Sequence, residues 1–564
     1  MVNSFCLAVE NCMLFYCQQS EKKGVIMDNN KVCWCSDCNI PILGGKETCP
    51  LCGSKTKKNI ASDLKPVFQQ ERLLLEYMLG KAPNSLADES VWANNNHYII
   101  SGQKLNISND DIKNLDGKKF LSFVKKYKCE KGRFKEYIEK FCLANQRHIM
   151  DLTEEAADYI KKESAGLGKD EMYIAFSGGK DSTVLADLVI NTLGSVPCLF
   201  ADTTLEHPMT MEYIERMKKD DRYQLKIAKN TEMEFYDVAK KIGPPSQKMR
   251  WCCYMFKTGP VNRVLKEFFP NARLNFYGVR KSESVMRSRY NRTETDDKHL
   301  KIASVKVASP IFYWREIDIW LYILANRIDF NDAYRLGYKR VGCWCCPNSS
   351  ARSDLMAKIS IPKQYNRWHK FLVEFATSIG KENPENYINL GKWKIRQGGN
   401  GLPAANLVKL DTQVCATDEN SMKFNLDRAI NDKFITLFYP FGKVIDGNKS
   451  LGEKLVLDRA TLQPYIKIEI LSPVQVRISL LGAQDTRKLF REIRYQMVKY
   501  NACQGCLKCE SLCTVGAISV RSGVYSIDEN KCIGCKKCCT PRLLPGGCMM
   551  KRYLRTKGGR DDLL

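Results

Sequence analysis

The stretch that most constrains this chain is residues 173–182, Tyr-Ile-Ala-Phe-Ser-Gly-Gly-Lys-Asp-Ser. A short apolar strand runs into a double-glycine turn, and a helix is predicted from about Ser182 through Val184, Leu185, Leu188 and Ile190. Such a turn points backbone N–H groups and the positive end of a helix at one spot, which suits an anionic phosphate. Gly178 and Gly179 let the backbone approach a ligand closely. Ser177, Lys180, Asp181 and Ser182 complete a candidate phosphate-binding turn, with Lys180 as a mobile cation and Asp181 or Ser182 as a holder of Mg²⁺ on a phosphate chain. The spacing is not that of the Walker P-loop, which puts four residues between its glycines. An ordinary tight turn is the alternative, and the order strand, glycines, Lys-Asp, helix argues against it.

A second apolar strand, Val196 to Ala201, ends in Asp202-Thr203-Thr204, followed by Glu206-His207-Pro208. Strand, helix, strand implies a parallel sheet. Ligands of such sheets bind at the carboxyl ends of the strands, so Asp202 and Thr203 should face the glycine turn across one crevice. Tyr223–Ile227 and Leu274–Val279 are predicted as further strands, the latter ending in Arg280. The predicted fold class is α/β, a doubly wound parallel sheet carrying smaller modules.

Cysteine is the second strong signal: there are 26, many in short-spaced groups. In a chain of 564 residues this pattern points to metal sites in a reducing, cytoplasmic compartment rather than to disulfides. Cys35-x-x-Cys38 and Cys49-x-x-Cys52 supply four thiolates for a structural zinc, with a rubredoxin-type iron or no metal as alternatives. Cys503, Cys506, Cys509 and Cys513 have Cys-x-x-Cys-x-x-Cys-x-x-x-Cys spacing, and Cys532, Cys535 and Cys538 repeat its first three positions. A zinc module is the alternative to iron–sulfur here. Within the central region lie Cys252-Cys253 and Cys343-x-x-Cys346, with Cys345 an extra thiol, bystander or nucleophile. Cys6, Cys12, Cys17 and Cys33 have no convincing ligand spacing.

Ser-Gly-Gly-Lys-Asp-Ser resembles the pyrophosphate-binding motif of the adenine nucleotide alpha-hydrolase superfamily. Arg280-Lys281-Ser282-Glu283-Ser284-Val285-Met286-Arg287 resembles the Arg-x-x-Glu-Ser-x-x-Arg pattern of phosphoadenylyl-sulfate (PAPS) reductases. Asp202-Thr203 with Pro208 is similar to their second nucleotide loop. Pro310 to Trp314 with Asp318 to Trp320 resembles the segment before their last helices. The resemblance covers roughly 150–360 and implies an adenine nucleotide substrate. Arg280 and Arg287 would hold its sulfate or phosphate by forked hydrogen bonds, with Glu283 orienting one of them; with Lys180 and Asp181 these are the candidate catalytic residues. The adenylyl-sulfate reductase branch resembles the pairing of Cys252 and Cys253 with Cys343 and Cys346 around one [4Fe–4S] cluster; zinc or a redox disulfide are the rivals. The C-terminal spacing resembles a two-cluster bacterial ferredoxin, in which the fourth cysteine serves the other cluster. Cys513 would therefore join Cys532, Cys535 and Cys538, while Cys548 or Cys539 completes Cys503, Cys506 and Cys509.

Two departures open a second reading. The reductases carry a nucleophilic cysteine in a Glu-Cys-Gly-Leu-His tail, and Lys551 to Leu564 holds no cysteine. Lys-Asp in the turn looks more like the ATP-cleaving members, among them sulfurtransferases that thiolate nucleic acids. The net charge of +25 favours acidic partners such as nucleic acid, nucleotides or a redox protein. The chain is thus expected to bind an adenine nucleotide, to take electrons from an external donor and to have nucleic acid as a candidate partner. A redox-sensing binding protein is the non-enzymatic alternative, and no apolar run is long enough for a membrane span.

The expected organisation is a leader of unclear status over 1–26 and a zinc ribbon over 27–60. A small mixed domain (65–130), the nucleotide-binding domain (131–395), a small α+β domain (405–495) and the two-cluster module (500–564) follow. Met27 offers an alternative start. Asp151 to Glu155 reads as a helix start, 397–409 as a linker, and Ile435 to Tyr439, Tyr465 to Ile470 and Val474 to Ile478 as strands.

Overall fold

The computed structural model describes residues 32–555, apart from 95–96, 109–114, 116–118, 121–122, 124–129, 296–304, 409, 417, 483–484 and 540–547. Cys6, Cys12, Cys17 and the leader lie outside the described residues. At the N-terminus, β1 (Val32–Cys35), β2 (Ile40–Ile42) and β3 (Lys57–Ala61) form an antiparallel ribbon in the order β2-β1-β3. Next, β4 (Lys65–Pro66), β5 (Val91–Asn94), β6 (His97–Ile100) and β7 (Gln103–Asn106) make a four-stranded meander beside the helix Gln69–Met78.

The helix predicted to start near Asp151 starts earlier. Gln146–Ser164 is one helix with Asp151 inside it, paired with Arg147 one turn back at 2.8 Å. The reason is the apolar stripe Ile149, Leu152, Ala156 and Ile160, which is continuous through Asp151 and packs on the core.

The central sheet contains β8 (Met172–Phe176), β9 (Cys198–Asp202), β10 (Lys226–Lys229), β11 (Leu274–Tyr277), β12 (Thr293–Glu294) and β13 (Lys306–Ala308), in the order β10-β9-β8-β11-β13-β12. Every pairing is parallel except β12 with β13, so the sheet is mixed rather than wholly parallel. Chain order reverses between β8 and β11. A doubly wound sheet opens its ligand crevice at such a switch point, outside the strand ends. The turn at 177–180 leaves β8 there, and the loop to Arg280 leaves β11 beside it.

Beyond the sheet, β14 (Asp411–Cys415), β15 (Asp418–Asn425), β16 (Gly442–Asp446), β17 (Glu453–Asp458), β18 (Pro464–Ser472) and β19 (Gln475–Leu480) form an antiparallel sheet in the order β14-β15-β19-β18-β17-β16. Ile435–Phe438, predicted as a strand, is a 3₁₀ turn. Its β-branched and aromatic composition misleads, since Phe434, Leu437 and Phe438 all point into the core at helical spacing. The predicted linker is a buried strap: Pro403–Val408 is a 3₁₀ turn with Ala404, Ala405 and Val408 buried, and Gly399 N–H donates to Arg555 C=O at 2.9 Å. The hairpin β20 (Ile518–Arg521) and β21 (Val524–Ile527) belongs to the C-terminal cysteine module.

Two apolar cores position the sites. One runs from Trp34 and Ile42 of the ribbon through Phe68 to Ile174 and Phe200 of the central sheet. The other joins Trp251 and Trp368 to Phe424 and Val476 and on to Cys506, Tyr525 and Leu554. Both the N-terminal and the C-terminal cysteine modules therefore share apolar packing with the central region. No helix among the described residues is long and apolar enough to cross a membrane.

Candidate functional site

Gly178 has φ +69°, and a Cβ there would lie 3.0 Å from the Thr210 methyl, so glycine is required. Asn331 holds the turn by donating to the Gly178 carbonyl at 3.1 Å, and the Lys180 N–H donates to the Tyr334 hydroxyl at 3.0 Å. Ser177 and Ser182 hydroxyls lie 3.1 Å apart at the start of the helix Lys180–Leu193. Gly278 leaves β11 so close that a Cβ would sit 3.2 Å from the Asp181 backbone. The two loops of the switch point thus touch.

Lys180 is not the mobile cation the sequence suggests. It is 3 % exposed, its Nζ lying 3.2 Å from Asp181 and 3.5 Å from Glu316, over the Tyr334 ring. Arg280 Nε donates to Asp181 Oδ1 at 2.5 Å. Burial alone would raise the Asp181 pKa, but Lys180 and Arg280 outweigh it and hold the carboxyl well below the usual range. Arg287 is ion-paired with Glu283, whose other oxygen lies 3.9 Å from Arg340, and burial pulls the Arg287 pKa down. Arg280 and Arg287 therefore come to one crevice, each already holding a carboxylate.

At the end of β9, Asp202 accepts from the Thr204 N–H at 2.8 Å and pairs with Lys229 at 3.1 Å. Thr203 Oγ1 donates to Glu206 at 2.8 Å and lies 3.3 Å from Cys343 Sγ. Glu206 and Cys343 form an isolated bridge, and the Trp344 N–H donates to Leu205 C=O at 3.0 Å. Cys343 is thereby fixed on the loop that follows β9. The Cys252 thiol interacts electrostatically with Cys253, Cys343 and Cys345, Cys346 with Cys253, and Cys343 with Cys346. The four thiols singled out in the sequence are thus near enough to influence one another, and Cys345 is buried beside them. This set is wider than a single-ion site: among the described residues, only Cys35, Cys38, Cys49 and Cys52 have ligand atoms all within 4.8 Å of one another.

That N-terminal set fits zinc. Zn–S bonds of about 2.3 Å in a tetrahedron put sulfurs roughly 3.8 Å apart, and Cys35–Cys52 and Cys38–Cys49 are separated by 3.5 and 3.9 Å. The Cys38 N–H also donates to Cys35 Sγ at 3.3 Å.

In the C-terminal module, Cys506 and Cys509 each interact with Cys503 and Cys548. Cys539 faces elsewhere, 3.7 Å from Cys538 and accepting from Gln496 at 3.3 Å. A cavity is lined by Cys513, Cys532, Cys535 and Cys538 together with Ile518, Ile527 and Ile533. Backbone N–H groups of Gly505, Lys508, Ala517 and Gly534 point at Cys503, Cys506, Cys513 and Cys532. Grouped thiols in an apolar, N–H-lined cage have the chemistry that holds an iron–sulfur cluster.

Three residues without a sequence motif belong to the site. Glu316 and Tyr334 reach Lys180 from distant elements. Lys257 stands one helical turn after Cys253, on a π-helical segment, Tyr254–Thr258, of the kind often found at functional sites. Lys257 interacts electrostatically with Tyr277, Glu206, Cys343 and Cys253, yet no described side chain hydrogen-bonds or ion-pairs with it. Its i+4 spacing from Cys253 was the available signal.

Tyr254 and Tyr553 each interact electrostatically with both Cys253 and Cys506. The contact is tight: a Cβ on Gly259 would lie 2.4 Å from Leu507, Asn262 donates to Ser511 at 2.5 Å, and Arg263 pairs with Glu510 at 3.1 Å.

An open α/β sheet whose switch point carries a glycine turn defines a nucleotide-binding protein. Residues 171–349 match the phosphoadenosine phosphosulfate reductase domain. An adenosine 5′-phosphosulfate reductase of Staphylococcus epidermidis is 30% identical over 206 residues, 36% of this chain and 80% of that protein. On these matches the chain belongs to the PAPS reductase family. An uncharacterized protein of Methanocaldococcus jannaschii is 29% identical over 317 residues, 54% of this chain and 64% of that protein's length. A crystal structure of PAPS reductase from Candida auris aligns with 35% of this chain and 95% of its own, at 22% identity and a TM-score of 0.29.

Proposed function

We propose that this chain is a sulfonucleotide reductase that converts adenylyl sulfate or PAPS to sulfite, using electrons delivered through its C-terminal module. The reaction adds two electrons to sulfur and breaks the S–O bond to the phosphate; the bridging oxygen leaves with the nucleotide and sulfite departs. Clusters held by the cysteine sets would supply single electrons. The glycine turn and its helix end bind the phosphate. Lys257, whose charge is felt at Cys343, would take the sulfonate. Arg280 keeps Asp181 ionised and the turn closed.

The observation that carries this reading is one continuity: Thr203 of the crevice lies 3.3 Å from Cys343 Sγ, and the helix that follows Cys253 packs on the Cys506 loop, Gly259 against Leu507 and Asn262 on Ser511. On this reading a nucleotide at the turn and an electron from the C-terminal module would meet at the same four thiols. The test is turnover under anaerobic conditions with reductant. Sulfite from adenylyl sulfate or PAPS supports the proposal; pyrophosphate from ATP without sulfite refutes it.

One observation favours a second reading. Asp181 follows the glycine turn directly, where its carboxylate would hold Mg²⁺ on a phosphate chain if the phosphate drew Lys180 and Arg280 away from it. On this reading Mg-ATP is cleaved to activate an acceptor, with the +25 charge drawing in nucleic acid. Pyrophosphate release stimulated by DNA or tRNA would establish it.

A further inference from the structure

The helix Glu316–Ala325 begins beside the nucleotide turn, and its third residue, Asp318, accepts the Arg315 N–H at 2.8 Å. The next two N–H groups are capped from another module. Asp63, two residues beyond β3 of the ribbon, accepts the Glu316 N–H at 2.9 Å with one carboxylate oxygen and the Ile317 N–H at 3.0 Å with the other. Glu316, first residue of that helix, then reaches Lys180 at 3.5 Å; Lys180 reaches Asp181 at 3.2 Å; Asp181 reaches Arg280 at 2.5 Å. Arg280 in turn interacts electrostatically with Asp63. The five charges close a ring behind the glycine turn.

We propose that Asp63 is a positioning residue for nucleotide binding, and that the N-terminal ribbon acts through it as a brace on the nucleotide site. A carboxylate at this helix end fixes the first turn by hydrogen bonds and by its charge against the helix dipole. Fixing the first turn fixes Glu316, and Glu316 sets where Lys180 and Asp181 stand beneath the phosphate. Ala61 of β3 pairs with Val32 of β1, and Asp63 follows after one residue, so folding of the ribbon sets the reach of Asp63. The inference rests on the reading of residues 177–182 as the nucleotide site.

The test is equilibrium titration of the anaerobically purified full chain with adenylyl sulfate and, separately, with Mg-ATP, alongside thermal denaturation. Asp63→Ala is expected to weaken the bound nucleotide about tenfold, the scale of a lost helix cap. Glu316→Gln should weaken it similarly, and the double variant should lose no more than either alone, because the two act in series. Asp63→Asn, which keeps one acceptor, should fall between wild type and Asp63→Ala. Cys35→Ser with Cys52→Ser should reproduce the Asp63→Ala affinity. A lowered melting temperature with unchanged affinity would reduce Asp63 to a structural cap and overturn the inference alone, as would additive losses in the double variant. Failure of the wild type to bind either nucleotide would overturn the reading of the site and this inference with it.

Discussion

Protonation of His207 should loosen the second nucleotide loop below pH 6. His207 caps the helix Pro208–Lys218 by accepting the Met209 N–H on Nδ1 at 3.2 Å, while Nε2 lies 3.2 Å from Ser360 Oγ, with the Tyr338 ring edge-on. Burial depresses its pKa from the ordinary 6.5 to about 4. A folded-state pKa below the unfolded one means that the unfolded chain binds the extra proton. The stability is therefore full above pH 6.5 and is lost as pH falls from 6.5 toward 4. At 1.36 kcal/mol per pH unit the whole loss is ~3 kcal/mol, of which about 2 kcal/mol is felt by pH 5. That corresponds to roughly a thirtyfold rise in local opening. Hydrogen–deuterium exchange of residues 203–218, corrected for intrinsic rates, should show this loss of protection between pH 7.5 and pH 5. His207→Asn keeps an oxygen acceptor at the cap and does not titrate, so its protection should stay level. Parallel pH profiles for wild type and His207→Asn would refute the reasoning.

Gly259→Val should unseat Leu507, since even a Cβ at that position would lie 2.4 Å from it; overpacking of this kind costs about 1–3 kcal/mol. Stopped-flow absorbance should then show slower reduction of the Cys252–Cys346 set while iron content is kept. Lys499 is a buried cation whose charge reaches Cys509 and Cys548 of one set and Cys538 of the other. Lys499→Gln should therefore lower both midpoint potentials in an EPR-monitored titration. Cys345→Ser should leave iron per chain unchanged, whereas Cys343→Ser should reduce it, as read by metal analysis.

The sequence announced the parts that chemistry forces into short motifs. Glycines at 178 and 179 and the Cys-x-x-Cys groups are local necessities, so the switch-point crevice and the grouped thiols could be anticipated from spacing alone. What escaped depends on contacts between distant segments. Glu316, Tyr334 and Asp63 carry no motif, and each matters through a partner more than 100 residues away in the chain. Lys180 read as mobile because its sequence neighbours are small and polar, while its burial is imposed by Tyr334 and Glu316. The 397–409 strap read as a linker from its glycines, yet Gly399 is needed because the Leu554 carbonyl would lie 2.5 Å from any Cβ there. The 3₁₀ turn at Ile435–Phe438 shows the same limit, since a short apolar run does not declare its period.

The claim that nucleotide crevice and electron path are one device is tested most directly by stored electrons alone, with no reductant to sustain turnover. The protein is reduced anaerobically, freed of excess reductant and mixed with adenylyl sulfate. The account predicts that cluster absorbance returns to its oxidised form as sulfite appears, one sulfite for every two electrons lost. Clusters that stay reduced in the presence of bound nucleotide would contradict it.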